Sequence, residues 1–171
     1  MEKNSLIAPV TALDYIDSDY GRVYVGIGGD VRSYKGNDET RRTVFASHSV
    51  HGIRVIERLD TVVVFGDKAV ALLDATDLTV RSKASPLCDM VRDCCIVIKQ
   101  NGTRGVTHLL VAFANNFVEE LEMRGNQYRS IRRVSAPEKC VLFSLHFSSA
   151  WINEGQSLML ASGDAFGKVT L

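Results

Sequence analysis

Residues 51–73 read HGIRVIERLDTVVVFGDKAVALL, and their pattern decides the fold. Ile53 to Glu57 largely alternates apolar with charged side chains, the period of a strand with one face in water. The next run, Thr61 to Phe65, is instead continuously apolar from Val62 to Phe65, as expected of a strand covered on both faces. Between it and the next run, Val70 to Leu73, stands Gly66-Asp67-Lys68. Gly and Asp suit a tight hairpin there because they accept positive φ. Thr79 to Ser82 supplies a fourth short run. The reading is four antiparallel strands joined by hairpins.

The same order recurs on either side. Toward the N-terminus, Val10 to Ile16, Arg22 to Ile27, Val31 to Tyr34 and Arg42 to Ala46 make one set, with a Gly28-Gly29-Asp30 turn. Toward the C-terminus come Cys94 to Ile98, Thr107 to Phe113, Phe117 to Leu121 and Tyr128 to Ile131, with an Asn115-Asn116 turn. A last set opens with Val141 to Phe147 and continues with Leu158 to Ser162, a Gly163-Asp164 turn and Lys168 to Leu171. The comparable turns fall at intervals of roughly 40–50 residues, the period of propeller blades. A generic β-sandwich or barrel accounts for short strands and turn residues, but not for this repeated order of strand character. The expected fold is therefore all-β: a WD40-type β-propeller fragment of about three and a half four-stranded blades. As one incomplete propeller over 1–171, its blades fall near 8–47, 51–85, 91–135 and 139–171, the last truncated. Rings close with roughly four to eight blades, so the expectation is a piece of a longer protein. A small autonomous β domain is the alternative.

Composition is ordinary for a globular chain: 46% hydrophobic and 23% charged over 171 residues. Lys plus Arg and Asp plus Glu balance at 20 each, so no global field attracts nucleic acid or membrane. No run reaches the roughly 18 apolar residues of a membrane span. The polar start, Met1 to Ser5, does not read as a signal peptide. Cys88, Cys94, Cys95 and Cys140 show no C-x-x-C spacing and read as reduced thiols, with Cys94 and Cys95 as core and surface neighbours on one strand. Asn101-Gly102-Thr103 fits the glycosylation pattern but reads as a turn. A cytoplasmic location is expected.

The search for chemistry gives little. Gly26, Gly28 and Gly29 lack the second half of a dinucleotide fingerprint and any helix after them. There is no G-K-[ST], H-E-x-x-H or G-x-S-x-G. His48, His51, His108 and His146 lack ligand-spaced partners, so no metal, cofactor or catalytic residue is expected. WD-type propellers often set a histidine at a blade junction, hydrogen-bonded to an Asp of the inner turn; His51 and Asp67 fit that structural pair. Arg124, Arg129, Arg132, Arg133 and Lys139 form the one basic cluster. Arg129, Arg132, Arg133 and Lys139 are candidate RNA or partner contacts; the competing reading is a charged edge strand guarding against aggregation.

Several strings resemble a known family. Ala8-Pro9-Val10-Thr11-Ala12-Leu13, Val25-Gly26-Ile27-Gly28-Gly29, and His51 to Val55 leading to Val64-Phe65-Gly66-Asp67-Lys68 look like the N-terminus of the large WD-repeat protein that partners the FtsJ-like tRNA ribose methyltransferase. Glu138 to Ser144 and Leu160 to Val169 are similar to that family's next blade. The resemblance implies a non-catalytic subunit that brings tRNA and the methyltransferase together for 2′-O-methylation of the wobble nucleotide. The methyltransferase would supply the S-adenosylmethionine site. The chain departs from the family in ending early and in lacking the blade-ending Trp. Its one Trp, Trp151, is expected in an insertion-like loop. Two other readings stand beside this one: a WD40 scaffold for proteins unrelated to tRNA, and an enzyme using a propeller's central funnel, for which too few converging acids or histidines are present.

Overall fold

The computed structural model describes residues 9–17, 21–101, 104–135, 142–152, 157–164 and 166–170. Among the described residues, fifteen strands fall into four antiparallel sheets, each a meander in chain order. The first holds β1 (Val10–Ile16), β2 (Arg22–Ile27), β3 (Asp30–Lys35) and β4 (Asp38–Thr43). The second holds β5 (Gly52–Ile56), β6 (Thr61–Gly66), β7 (Ala69–Asp74) and β8 (Val80–Ala84). A single 3₁₀ turn, Glu57–Leu59, sits between β5 and β6. The third comprises β9 (Val91–Asn101), β10 (Arg104–Phe113), β11 (Phe117–Arg124) and β12 (Gln127–Ser135). The fourth is β13 (Leu142–Ile152), β14 (Ser157–Asp164) and β15 (Val169–Thr170).

The first strands of successive sheets lie together: β1 packs on β5, β5 meets β9, and β9 packs on β13. Each sheet thus stands as a blade with its opening strand innermost and its closing strand outermost. Burial follows from that stacking. β6 is buried at every position and β7 at all but the last, because neighbouring blades cover both faces. By contrast, every residue of β12 is exposed.

Two apolar layers bind the first three blades. Between blades 1 and 2 lie Tyr24, Val31, Phe45, Val50, Val64 and Leu73, and between blades 2 and 3 lie Val63, Leu72, Ile96, Val111, Phe113 and Leu121. Successive β6 residues feed opposite layers, since Val63 joins one and Val62 and Val64 the other. Polar pins reinforce both. Tyr24, fully buried, donates through its hydroxyl to the Ala75 carbonyl at 2.7 Å. Asp14 on β1 accepts the Val55 N–H of β5 at 2.7 Å. Arg54 on β5 donates to Asp93 on β9 at 2.9 Å.

The strands of the third sheet run longer than the sequence reading has them, and three further details differ. The fourth strand is Asp38–Thr43, not Arg42 to Ala46. Val44 and Phe45 leave the sheet, both N–H groups donating to the Gly29 carbonyl, and bury their side chains in the first layer. Cys94 and Cys95 are both buried: β9 has an apolar layer on each face, with Cys94 in one and Cys95 in the other. Burial pushes the Cys95 thiol up to about 12, helped by the nearby Asp93 carboxylate, and raises Cys94 too. Trp151 lies within β13 rather than in a loop.

Candidate functional site

Two clusters of side chains bear on function. The first is the junction between blades 1 and 2, where residues 44–51 cross over two hairpin turns. Val50 N–H donates to the Gly28 carbonyl at 2.6 Å, and His51 N–H to that of Phe65 at 2.8 Å. Asp67, at φ 45°, sits in the β6–β7 turn. Its carboxylate accepts the Ser49 N–H at 2.9 Å, while its carbonyl accepts Val91 N–H from the next junction at 2.6 Å. The His51 ring nitrogen Nε2 lies 3.6 Å from one carboxylate oxygen and His48 Nδ1 3.7 Å from the other. These are ion-pair distances once the rings are protonated, beyond hydrogen-bond reach. The backbone N–H of Ser49 therefore makes the short bond to Asp67, and the two histidines flank it.

The second cluster covers the outer half of blade 3. The Gly125-Asn126 turn, with Gly125 at φ 58°, sets Glu122 opposite Arg129. A bulge after Glu120 then brings Arg132 opposite Glu120 and Arg133 opposite Glu119. Each cross-strand pair is bonded. Arg129 donates to Glu122 at 2.7 Å, Arg132 to Glu120 at 3.0 Å and Arg133 to Glu119 at 3.2 Å. Arg124 adds a second donor to Glu122 at 2.7 Å, and His108 Nδ1 shares the Glu120 carboxylate at 2.6 Å. Arg133 also stacks over the Phe117 ring, 4.1 Å from its centroid.

The carboxylates are buried, with Glu119, Glu120 and Glu122 at 6%, 2% and 4% exposure. A buried charge must be paired or be costly, so the arginines meet a structural need. The Arg124 guanidinium, with Arg129 beside it, holds the Glu122 carboxyl below the usual range against the opposing effect of desolvation. A depressed carboxyl stabilises at neutral pH and loses that contribution as pH falls through its pKa. Arg129, Arg132 and Arg133 are thus brought together on one strand, each tied to a glutamate. Lys139 lies outside the described residues. The sequence reading missed the glutamates; three acids among the apolar residues of Phe117 to Met123, mirrored by arginines across Gly125-Asn126, was the available signal.

Among the described residues, no group of three His, Cys, Asp or Glu side chains is arranged to hold a metal ion. No described helix is long and apolar enough to cross a membrane.

No protein-family model matches the chain, and no curated protein matches it in sequence. Solved structures do. The computationally designed Ika4 protein superposes with a TM-score of 0.67 at 12% identity, covering 99% of this chain and 93% of that one. The C-terminal WD40 domain of Sif2 gives 0.63 at 15% identity, over 95% of this chain and 45% of that one. BBS1N in complex with ARL6DN gives 0.62 at 12% identity, over 94% of this chain and 49% of that one. The fold is a WD40-type β-propeller, present as three four-stranded blades and a three-stranded fourth sheet among the described residues. The chain spans less than half the length of the Sif2 and BBS1N chains it matches.

Proposed function

We propose that this chain is part of a non-catalytic, cytoplasmic WD-repeat subunit. It holds an FtsJ-like methyltransferase and tRNA together for 2′-O-methylation of the wobble ribose. The observation that carries this reading is the ordered set of family-like strings and their places in the fold. Val25 to Gly29 forms the end of β2 and its turn, and His51 leads into β5, which holds Gly52 to Val55. Val64 to Lys68 forms the turn clasped by the Ser49 and Val91 N–H groups. In this reading the chain contributes positioning, and the methyltransferase supplies the S-adenosylmethionine site.

A second reading, a scaffold for proteins unrelated to tRNA, is favoured by the arginine–glutamate pairs. Guanidinium groups already bonded to buried carboxylates, four arginines to three glutamates, form no continuous positive track for a phosphate backbone. A matching structure, BBS1N with ARL6DN, is itself a complex with a protein partner. Mass spectrometry of tRNA anticodon fragments from cells with the gene disrupted separates the two. The first reading predicts selective loss of the wobble 2′-O-methyl group, restored by re-expression. Unchanged methylation, in cells with no paralogue, leaves the second.

A further inference from the structure

The geometry points to the free edge of β12 as a docking site for an extended segment of a partner protein, added as a further strand and alternating apolar with acidic side chains. This inference stands apart from the tRNA reading.

β12 ends its sheet, and among the described residues no strand pairs with its outer side. An open edge offers a row of N–H and C=O groups to any extended chain, so natural sheets keep edges short or charged. The outer strands of blades 1 and 2 obey that rule. β4, Asp38–Thr43, has six residues and no apolar side chain. β8, Val80–Ala84, has five and carries Arg81 and Lys83.

β12 breaks the rule. It runs for nine exposed residues and carries Tyr128, Ile131 and Val134 at 38%, 40% and 59% exposure. Its arginines do not guard the edge, because Arg129, Arg132 and Arg133 reach back across β11 to buried glutamates. That arrangement leaves the backbone edge open with apolar side chains beside it. The bulge at Ile131 divides the strand, and Arg132 to Ser135 is the straight stretch that can extend a ladder.

The chemistry of the occupant follows. Apolar side chains match Ile131 and Val134. Acidic ones match the one positive charge in excess, since the four exposed arginines Arg124, Arg129, Arg132 and Arg133 meet only three carboxylates, Glu119, Glu120 and Glu122. RNA fits less well: a phosphodiester cannot continue a β-ladder, and the Tyr128 hydroxyl is engaged with the Pro86 carbonyl at 2.9 Å.

The test uses the full-length protein and a short fluorescein-labelled peptide of alternating valine and glutamate. Binding is read by anisotropy and amide exchange. The peptide is expected to bind and to slow exchange within Arg132 to Ser135. Val134→Glu, at an exposed position that leaves the fold intact, is expected to weaken binding about tenfold, since it removes an apolar contact and sets a like charge against the acidic peptide. Thr40→Glu on β4 should bind like the wild type. Unslowed exchange in β12, equal binding by Val134→Glu, or protection of β12 by a single-stranded RNA in place of the peptide overturns the inference.

Discussion

Phe113→Ala is expected to lower stability by about 3–5 kcal/mol, the range for emptying a fully buried phenylalanine site. The ring is 0% exposed and lies in the layer between blades 2 and 3. It stacks on Phe117 with centroids 4.7 Å apart, and Phe117 is in turn covered by Arg133. The site cannot readily collapse, because β10 pairs on both sides with β9 and β11. The loss should appear in denaturant unfolding of the full-length protein as a lowered midpoint. Phe166→Ala is the control: at 80% exposure it should change stability by less than about 0.5 kcal/mol. Equal effects at the two positions would contradict the inter-blade packing described above.

Gly66→Ala is expected to cost roughly 3 kcal/mol, at the upper end for overpacking. A Cβ at Gly66 would overlap the Ser49 carbonyl oxygen and crowd the His51 nitrogen. Neither can give way as a side-chain tip would. Ser49 N–H is bonded to the Asp67 carboxylate and His51 N–H to the Phe65 carbonyl, so the crossing backbone is pinned on both sides of the clash. Gly36 makes the contrast. It has φ 60° but nothing within 4 Å of a Cβ, so Gly36→Ala should cost only the left-handed penalty of about 1 kcal/mol. Thermal melts of the two variants check the difference; a milder effect at Gly66 than at Gly36 would mean that the junction is not clasped this way.

The strand pattern was legible wherever a strand's own residues determine its burial. Val10 to Ile16 and Arg22 to Ile27 have the bounds their pattern predicts, and the apolar run Val62 to Phe65 marks a strand covered on both faces. Legibility failed where long-range packing decides. Val44 and Phe45 look like strand residues, yet their burial comes from crossing the neighbouring turn. Asp38 to Arg41 carry no apolar signal and fall outside the strand predicted from Arg42, yet an outermost strand needs no apolar face. The arginine cluster was visible, but its partners were not, because the pairing of Glu120 with Arg132 depends on a bulge that shifts the register. The junction of His51 with Asp67 was visible as a proximity. That the Ser49 backbone, and not the ring, makes the short bond is a matter of ångströms that sequence does not carry.

Reconstitution of methyl transfer most directly tests the proposed role. Purified FtsJ-like methyltransferase, S-adenosylmethionine and unmodified tRNA are combined with and without the full-length protein, and the wobble ribose is assayed. The account predicts methylation only when both proteins are present, with none from this protein alone. Full methylation by the methyltransferase without it, or methyl transfer by this protein without the methyltransferase, would contradict the account.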